Sequence, residues 1–392
     1  MQDLSNLFLG PELAEVEIPS WVPASDRLNQ FLDWPVNVPK PRMNPFNIGK
    51  IMADEALIEF IIASNGPGVT DATGAERVRD LADRGVALYE ERGWLDSPES
   101  FHETPPPLRD FTMRPKSMGA LRYEHLRFAS EFKSVKGMPG RERWMAFDNN
   151  DTVHARVLRH EGKPRPWLVC VHGYGMGDPI DLIAFRARAL HQIQGLNLLL
   201  YVWPYHGPRS NGRNGEGLME PGFFNMIHGV SQAIWDLRRI LRWLREDQGA
   251  ESIGTYGLSL GGFTVALLAS LEADLRCVIA GIPAVDMVGA ARERRRRSHG
   301  NALEMGLPED VARKLLKVVS PLQISPKVPF ESRFIFGGLL DRLATPDRVV
   351  KLWDHWEEPR MAWYEGSHMT VGFEPAVYGV INEALERLQE HP

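Results

Sequence analysis

The spacing of hydrophobic positions changes along this chain and divides it into two regions. Up to about residue 120 the apolar residues recur at helical intervals between proline-rich interruptions. Pro19, Pro23, Pro35, Pro39, Pro41 and Pro45 break up the opening, where Trp21 and Trp34 read as packing anchors for a segment laid across another surface. A helix is predicted from Ile48 to Ala63, with Ile51, Met52, Phe60 and Ile61 among its apolar positions. It stops before Asn65-Gly66-Pro67-Gly68, and a second helix fits Ala75 to Glu91. Pro105-Pro106-Pro107 marks a stiff connector. Residues 1–120 therefore read as a helical N-terminal extension.

From Tyr123 the pattern becomes strand-like. His154 to His160 alternates after an Asn149-Asn150-Asp151 turn, which predicts a short antiparallel meander at the start of the main domain. The period then changes again. Trp167–Val171, Leu196–Val202, Ile253–Tyr256, Cys277–Ala280, Phe334–Phe336 and Met361–Tyr364 are apolar runs of the kind buried on both faces of a parallel sheet. Helical patterns lie between most of them; in Asn225 to Glu246, Ile227, Val230, Ile234, Leu237, Leu241 and Leu244 recur at three and four residues. Alternating strands and amphipathic helices predict an α/β fold with a doubly wound, mostly parallel sheet. The expected division is a 1–120 extension and a 121–392 core, with no internal repeat.

Composition narrows the function classes. A chain of 392 residues with 43% hydrophobic content can bury a large core, and a net charge of −6 supplies no basic field for nucleic acid or an anionic membrane. Cys170 and Cys277 lie inside apolar runs and read as buried free thiols of a reducing compartment. Met1 to Trp21 has neither a basic n-region nor a continuous apolar stretch, and no segment has the length to span a bilayer. A cytoplasmic location is the expectation, with a small-molecule substrate and neither nucleic acid nor membrane insertion.

Candidate chemistry centres on Gly257-Leu258-Ser259-Leu260-Gly261, where a strand-like lead-in meets a small-residue helix pattern. A serine at the apex of a sharp strand-to-helix turn presents its hydroxyl outward, and the following helix aims unpaired N–H groups at any oxyanion formed beside it. A serine hydroxyl needs a general base, and that base needs a group fixing its tautomer. Functional groups of an open parallel sheet gather at the carboxyl ends of its strands. Asp341 follows Phe334-Ile335-Phe336 by a glycine turn, and His368 follows Met361–Tyr364. A fourth piece, His172-Gly173-Tyr174-Gly175-Met176-Gly177, ends an earlier strand; its amides, that of Tyr174 first, could form an oxyanion hole with the N–H of Leu260. The glycines match neither G-x-G-x-x-G nor a P-loop, and no H-E-x-x-H or C-x-x-C is present, so no cofactor or metal is expected.

Over roughly residues 123–390 the chain resembles the α/β-hydrolases, carrying nucleophile elbow, post-strand acid, late histidine and His-Gly oxyanion loop in that family's order. The resemblance implies Ser259 as nucleophile, His368 as general base and then acid, Asp341 as orienting carboxylate, and the amides of Tyr174 and Leu260 as oxyanion donors. One departure concerns the turn Pro204-Tyr205-His206-Gly207-Pro208-Arg209, which lacks the aspartate and first arginine common in relatives; His206 is accordingly assigned a structural role.

An insertion at about 284–320, between Pro283 and Pro321, contains Arg292-Glu293-Arg294-Arg295-Arg296-Arg297 and a helical run from Glu309 to Val318, and similar hydrolases often carry lid elements there. The arginine run reads as a solvated helix face, with an anion-binding face as the alternative. Gly207 to Gly222 reads as a mobile rim. The extension serves either as a cap or as a contact between subunits of a homo-oligomer. Carboxylic ester hydrolysis is the expected reaction, by analogy within the fold. Carbon–carbon or amide hydrolysis on the same residues, and a noncatalytic binding module, remain the alternatives.

Overall fold

The computed structural model describes residues 37–65, 71–220, 222–297 and 307–390, with the side chains of 294–297 outside that description. The anchors Trp21 and Trp34 lie outside the described residues, as do Pro19, Pro23 and Pro35. In chain order the elements are α1 (Pro45–Ser64), α2 (Ala72–Glu91), β1 (Phe111–Met118), β2 (Leu121–Ala129), α3 (Arg141–Met145), β3 (Thr152–Leu158), β4 (Trp167–Val171), α4 (Asp181–Ala184) and β5 (Asn197–Tyr201). There follow α5 (Phe224–Glu246), β6 (Ile253–Leu258), α6 (Leu260–Leu268), β7 (Cys277–Gly281), α7 (Met287–Arg297), α8 (Glu309–Leu316), β8 (Arg333–Gly338), α9 (Pro346–His355), β9 (Arg360–Tyr364) and α10 (Pro375–Gln389). Short 3-10 turns join several of them.

The strands form one nine-stranded sheet in the order β1-β2-β3-β5-β4-β6-β7-β8-β9. β1, β2, β3 and β5 pair antiparallel in turn, and from β5 through β4, β6, β7 and β8 to β9 every pairing is parallel. The apolar runs explain the parallel half: every residue of β4, β5, β6, β7 and β8 is buried. That is the pattern of strands covered on both faces. Alternation along β6 sorts the layers. A Cβ on Gly257 would meet the backbone of α6, whereas Tyr256 and Leu258 face a crevice between residues 184–194 and α10. Cys170 and Cys277 are buried and free.

The sheet begins earlier than the alternation from Tyr123 predicts. β1 falls inside the segment read as a helical extension, at an edge, with Pro115 opposite Glu124 and nearly every residue exposed. Proline is tolerated there because an edge strand does not need every N–H for the ladder. The meander itself is present as β1-β2-β3.

The two extension helices form close to the predicted limits. Asn44 caps α1, its side chain accepting the Asn47 N–H at 2.9 Å, and Pro45 opens the first turn. Asp71 caps α2 in the same way through the Gly74 N–H. α2 packs on α8 of the insertion, where a Cβ on Gly85 would stand 2.9 Å from Leu315 Cδ2. α1 lies on the 3-10 turn that starts at His368. Among the described residues no helix is long and apolar enough to cross a membrane.

The loop after β5 departs from the reading as a mobile rim at its start. Arg209 is fully buried and donates to Asp236 Oδ2 at 3.0 Å, the Tyr201 hydroxyl at 3.1 Å, and the carbonyls of Val202 at 3.0 Å and Asn150 at 2.8 Å. The glycines alone predict mobility, but an arginine inserted into a buried carboxylate network pins the chain.

Candidate active site

In the strand order, β4 lies between β5 and β6, so the chain leaves β4 toward one edge of the sheet and leaves β6 toward the other. The carboxyl ends of β4 and β6 therefore border the crevice in which open α/β sheets collect ligands. The sequence puts Ser259 and the His172–Gly177 loop at those two ends.

Ser259 sits between the last residue of β6 and the first of α6 with φ 57° and ψ −111°, a backbone conformation seldom taken by a residue with a Cβ. The turn is held from three sides: Ser259 N–H donates to Gly281 O at 2.9 Å, and its carbonyl accepts from Phe263 N–H at 2.9 Å and Ala284 N–H at 3.3 Å. The flanking glycines are required by close approach. A Cβ on Gly261 would stand 1.8 Å from Val171 O, and one on Gly257 would stand 2.1 Å from Gly261 O. The serine is partly exposed in an otherwise buried strand-turn-helix. Because the first intrahelical bond of α6 is that of Phe263, the amide of Leu260 is one of the N–H groups a helix start leaves without an intrahelical partner.

The β4 loop lies against this turn, the Cβ position of Gly173 being 3.2 Å from Ser259 Cβ. His172 shapes it. Its Nε2 accepts the Trp203 N–H at 3.0 Å, which leaves Nδ1–H to donate to Gly173 O at 2.8 Å. Burial, the neighbouring His206 and two buried arginines hold His172 well below the usual histidine range, so the ring is neutral. The far end is pinned where Gly177 N–H donates to Asp181 Oδ2 at 2.9 Å and Gly177 O accepts from Arg156 Nη2 at 2.6 Å. Tyr174 carries its hydroxyl between Asn65 Nδ2 at 2.7 Å and Gly215 O at 3.0 Å, away from a role as side-chain donor to substrate. His206 is buried, with its pKa pushed down to about 4 by that burial, and its Nδ1 bonds Pro204 O.

At the other parallel strands, Asp341 follows β8 and His368 follows β9. The structure brings them together: His368 Nδ1 is 2.7 Å from Asp341 Oδ2, with both side chains buried. The second carboxylate oxygen, Oδ1, accepts the N–H groups of Leu343 and Ala344 at 2.8 Å each, which fixes the carboxylate plane. Burial disfavours charge on His368, but the charge and hydrogen bond of Asp341, with the charge of Asp54, outweigh it and raise its pKa above the ordinary value. Nδ1 is taken by Asp341, so Nε2 is the nitrogen available to a substrate or nucleophile. No hydrogen bond joins Ser259 Oγ to His368 among the described residues. Asp347, a second carboxylate nearby in sequence, is exposed and bonded to Thr345, apart from the histidine.

Sequence reasoning missed Asp54. This carboxylate on α1 is fully buried and accepts backbone N–H groups from His368 at 2.8 Å, Arg342 at 3.0 Å and Met369 at 3.2 Å. Its only sequence signal is a charge among apolar helical positions, which reads as a solvated face.

In the insertion, Arg292 is largely exposed and pairs with Glu309 at 3.1 Å, while Glu293 pairs with Arg348. The side chains of Arg294 to Arg297 lie outside the described residues, so the run is described only at its first two positions. Among the described residues no group of three or more His, Cys, Asp or Glu is placed to hold a metal ion.

A mostly parallel sheet crossed at a switch point, with a serine elbow after β6 and an acid–histidine pair after β8 and β9, defines the α/β-hydrolase fold. The solved structure of acetyl xylan esterase 1 from Thermoanaerobacterium sp. shares it, with a TM-score of 0.52 at 14% identity over 79% of this chain and 98% of that one. Two proteins of Mycobacterium tuberculosis strains, uncharacterized protein MT2702 and uncharacterized protein Rv2627c, are each 38% identical over 322 residues, spanning 80% of this chain and 76% of the relative. The chain belongs to the family of these mycobacterial proteins. No protein-family model matches it.

Proposed function

We propose that this protein is a serine hydrolase that cleaves carboxylic esters through an acyl-enzyme intermediate. The observation that carries the reading is the buried Asp341–His368 hydrogen bond at the ends of β8 and β9, in the same sheet edge as the strained Ser259 turn. In this mechanism Ser259 Oγ attacks the carbonyl carbon and its proton passes to His368 Nε2. The negative charge that develops on the carbonyl oxygen is met by the amides of Leu260 and Tyr174. Collapse of the tetrahedral intermediate expels the alcohol, which takes the proton back from His368, and a water then repeats both steps on the acyl-serine. Asp341 keeps Nδ1 protonated and stabilises the transient imidazolium. An ester is the favoured substrate because an alkoxide is a less basic leaving group than an amide anion or a carbanion, and the structurally similar acetyl xylan esterase accords with it.

The test is labelling with a fluorophosphonate probe, followed by peptide mass spectrometry, alongside turnover of para-nitrophenyl acetate. An adduct on Ser259 and ester turnover that disappears in Ser259→Ala are the expected results. An adduct on another serine overturns the assignment, and a folded protein that neither labels nor turns over any ester, amide or diketone is a binding module.

A further inference from the structure

α1 is turned the opposite way from an ordinary covering helix. Its buried positions include the polar Asn47, Asp54 and Ser64, while Phe46, Met52 and Phe60 are exposed. Taking a carboxylate out of water is costly unless the site returns the interaction. Around Asp54 the return is specific. Oδ2 accepts from the N–H of His368 and the N–H of Arg342, and Oδ1 accepts from the N–H of Met369. Arg342 adjoins Asp341, so one carboxylate ties the backbone of the aspartate loop to the backbone of the histidine loop. Neighbouring contacts repeat the arrangement: Glu55 pairs with the Arg342 guanidinium at 2.9 Å, and Lys50 donates to Glu365 O at 2.7 Å.

We propose, resting on the serine-hydrolase reading above, that Asp54 is a positioning residue of the hydrolytic site. Its carboxylate sets the spacing between the loops of Asp341 and His368. The extension is then part of the catalytic construction and not only a cover. A hydrogen-bonded carboxylate is suited to this because three amides converge on its two oxygens, a task an apolar side chain cannot perform. Asp341 first and Asp54 after it favour the protonated histidine; burial and the charge of Asp341 in turn raise the pKa of Asp54, opposed by the amides of His368 and Arg342 and by the charge of His368. The other titratable groups around this junction are Lys50 and Glu55 of α1, Arg342, Tyr364, Glu365 and Glu374: Lys50 pairs with Glu374 at 3.5 Å and Arg342 with Glu55, the Glu365 carboxylate accepts from the Arg42 N–H at 2.7 Å and Asn47 Nδ2 at 3.1 Å, and the Tyr364 hydroxyl donates to Ser367 O at 3.1 Å.

The experiment compares the full chain with Asp54→Asn and Asp54→Ala in para-nitrophenyl acetate turnover across the pH range, with fluorophosphonate labelling of the wild type as the control on the functional reading. A wild type that does not label at Ser259 fails that reading, whatever the variants do. With labelling in hand, Asp54→Ala is expected to lower kcat by roughly 10- to 100-fold with little change in KM, because the loss is one of alignment. Asp54→Asn keeps one acceptor oxygen and is expected to recover part of kcat. Because Asn lacks the charge that favours protonated His368, its acid limb in kcat/KM is expected at lower pH than in the wild type. Should the alanine variant fail to fold, the asparagine variant carries the test. The proposal is overturned if Asp54→Asn matches the wild type in both kcat and acid limb. It is equally overturned if lost activity only follows lost folded protein while the limb stays in place.

Discussion

Replacing Asp341 by asparagine tests the hydrogen-bond logic of the site with a change of one atom. The carboxylate uses both oxygens: Oδ1 for the amides of Leu343 and Ala344, Oδ2 for His368 Nδ1. An asparagine has one acceptor to offer. Turning its NH2 toward the two amides would leave two buried donors unpaired, at about 1–3 kcal/mol each, so the carboxamide oxygen takes the Oδ1 place and the NH2 faces the histidine. His368 Nδ1 must then accept, its proton moves to Nε2, and the nitrogen that takes the serine proton in the proposed mechanism no longer can. Loss of the correct tautomer predicts a fall of about 10³- to 10⁴-fold in kcat, equivalent to roughly 4–5.5 kcal/mol. Ester turnover and the rate of fluorophosphonate adduct formation measure it, with thermal melting to confirm a folded variant. The stability side has a definite sign. His368 has its folded-state pKa raised, so its contribution is fully present below the unfolded value of 6.5 and is lost as pH rises through the folded value. The variant should lack that increment at acid pH. A folded Asp341→Asn protein with kcat within tenfold of wild type would refute the argument, and the exposed Asp347, bonded to Thr345, offers no substitute.

Two further predictions concern what holds the site in place. Asp236→Ala strands the buried Arg209 without its carboxylate and should cost about 3–5 kcal/mol, seen as a fall of roughly 4–6 °C in Tm; a loss below about 1 kcal/mol would mean the network is not under strain when halved. Gly261→Ala would put a methyl group 1.8 Å from Val171 O and 2.8 Å from His172 O. Since both neighbours are backbone, the β4 loop must shift away from Ser259, and the expected result is lower Tm together with a loss of Ser259 labelling. Wild-type melting and labelling in that variant would contradict the packing described at the elbow.

Much of this arrangement is legible in the sequence, for identifiable reasons. β4, β6, β7 and β8 are buried on both faces, so they appear as unbroken apolar runs, and the groups placed after β6 and β8 inherit that clarity; β9 reads as the same kind of run but is an edge strand with only Tyr364 buried, because among the described residues nothing pairs with its outer side. β1 is hidden for the opposite reason: exposed along almost its whole length, it buries too little to print an alternating pattern. The rim loop misleads because Arg209 looks like a surface residue until its partner, Asp236, arrives from a helix 27 positions away. α1 is recognisable as a helix, yet its inward face is not, because the buried positions include Asn47 and Asp54 while Phe46 and Phe60 look outward. A period of 3.6 reports the helix only; which stripe faces in depends on the partner, and here the partner is a pair of backbone loops rich in N–H groups.

The contact between Asp54 and His368 also joins residues 314 positions apart. Contacts of such long range close late, because the loop they span must be ordered first. During synthesis α1 leaves the ribosome long before the loop after β9 exists, so for most of translation the carboxylate of Asp54 has no loop amides to hold. Docking of α1 on the histidine loop would then be among the closing events of folding, and hydrolytic competence would appear as a property of the finished chain, not of any shorter nascent fragment.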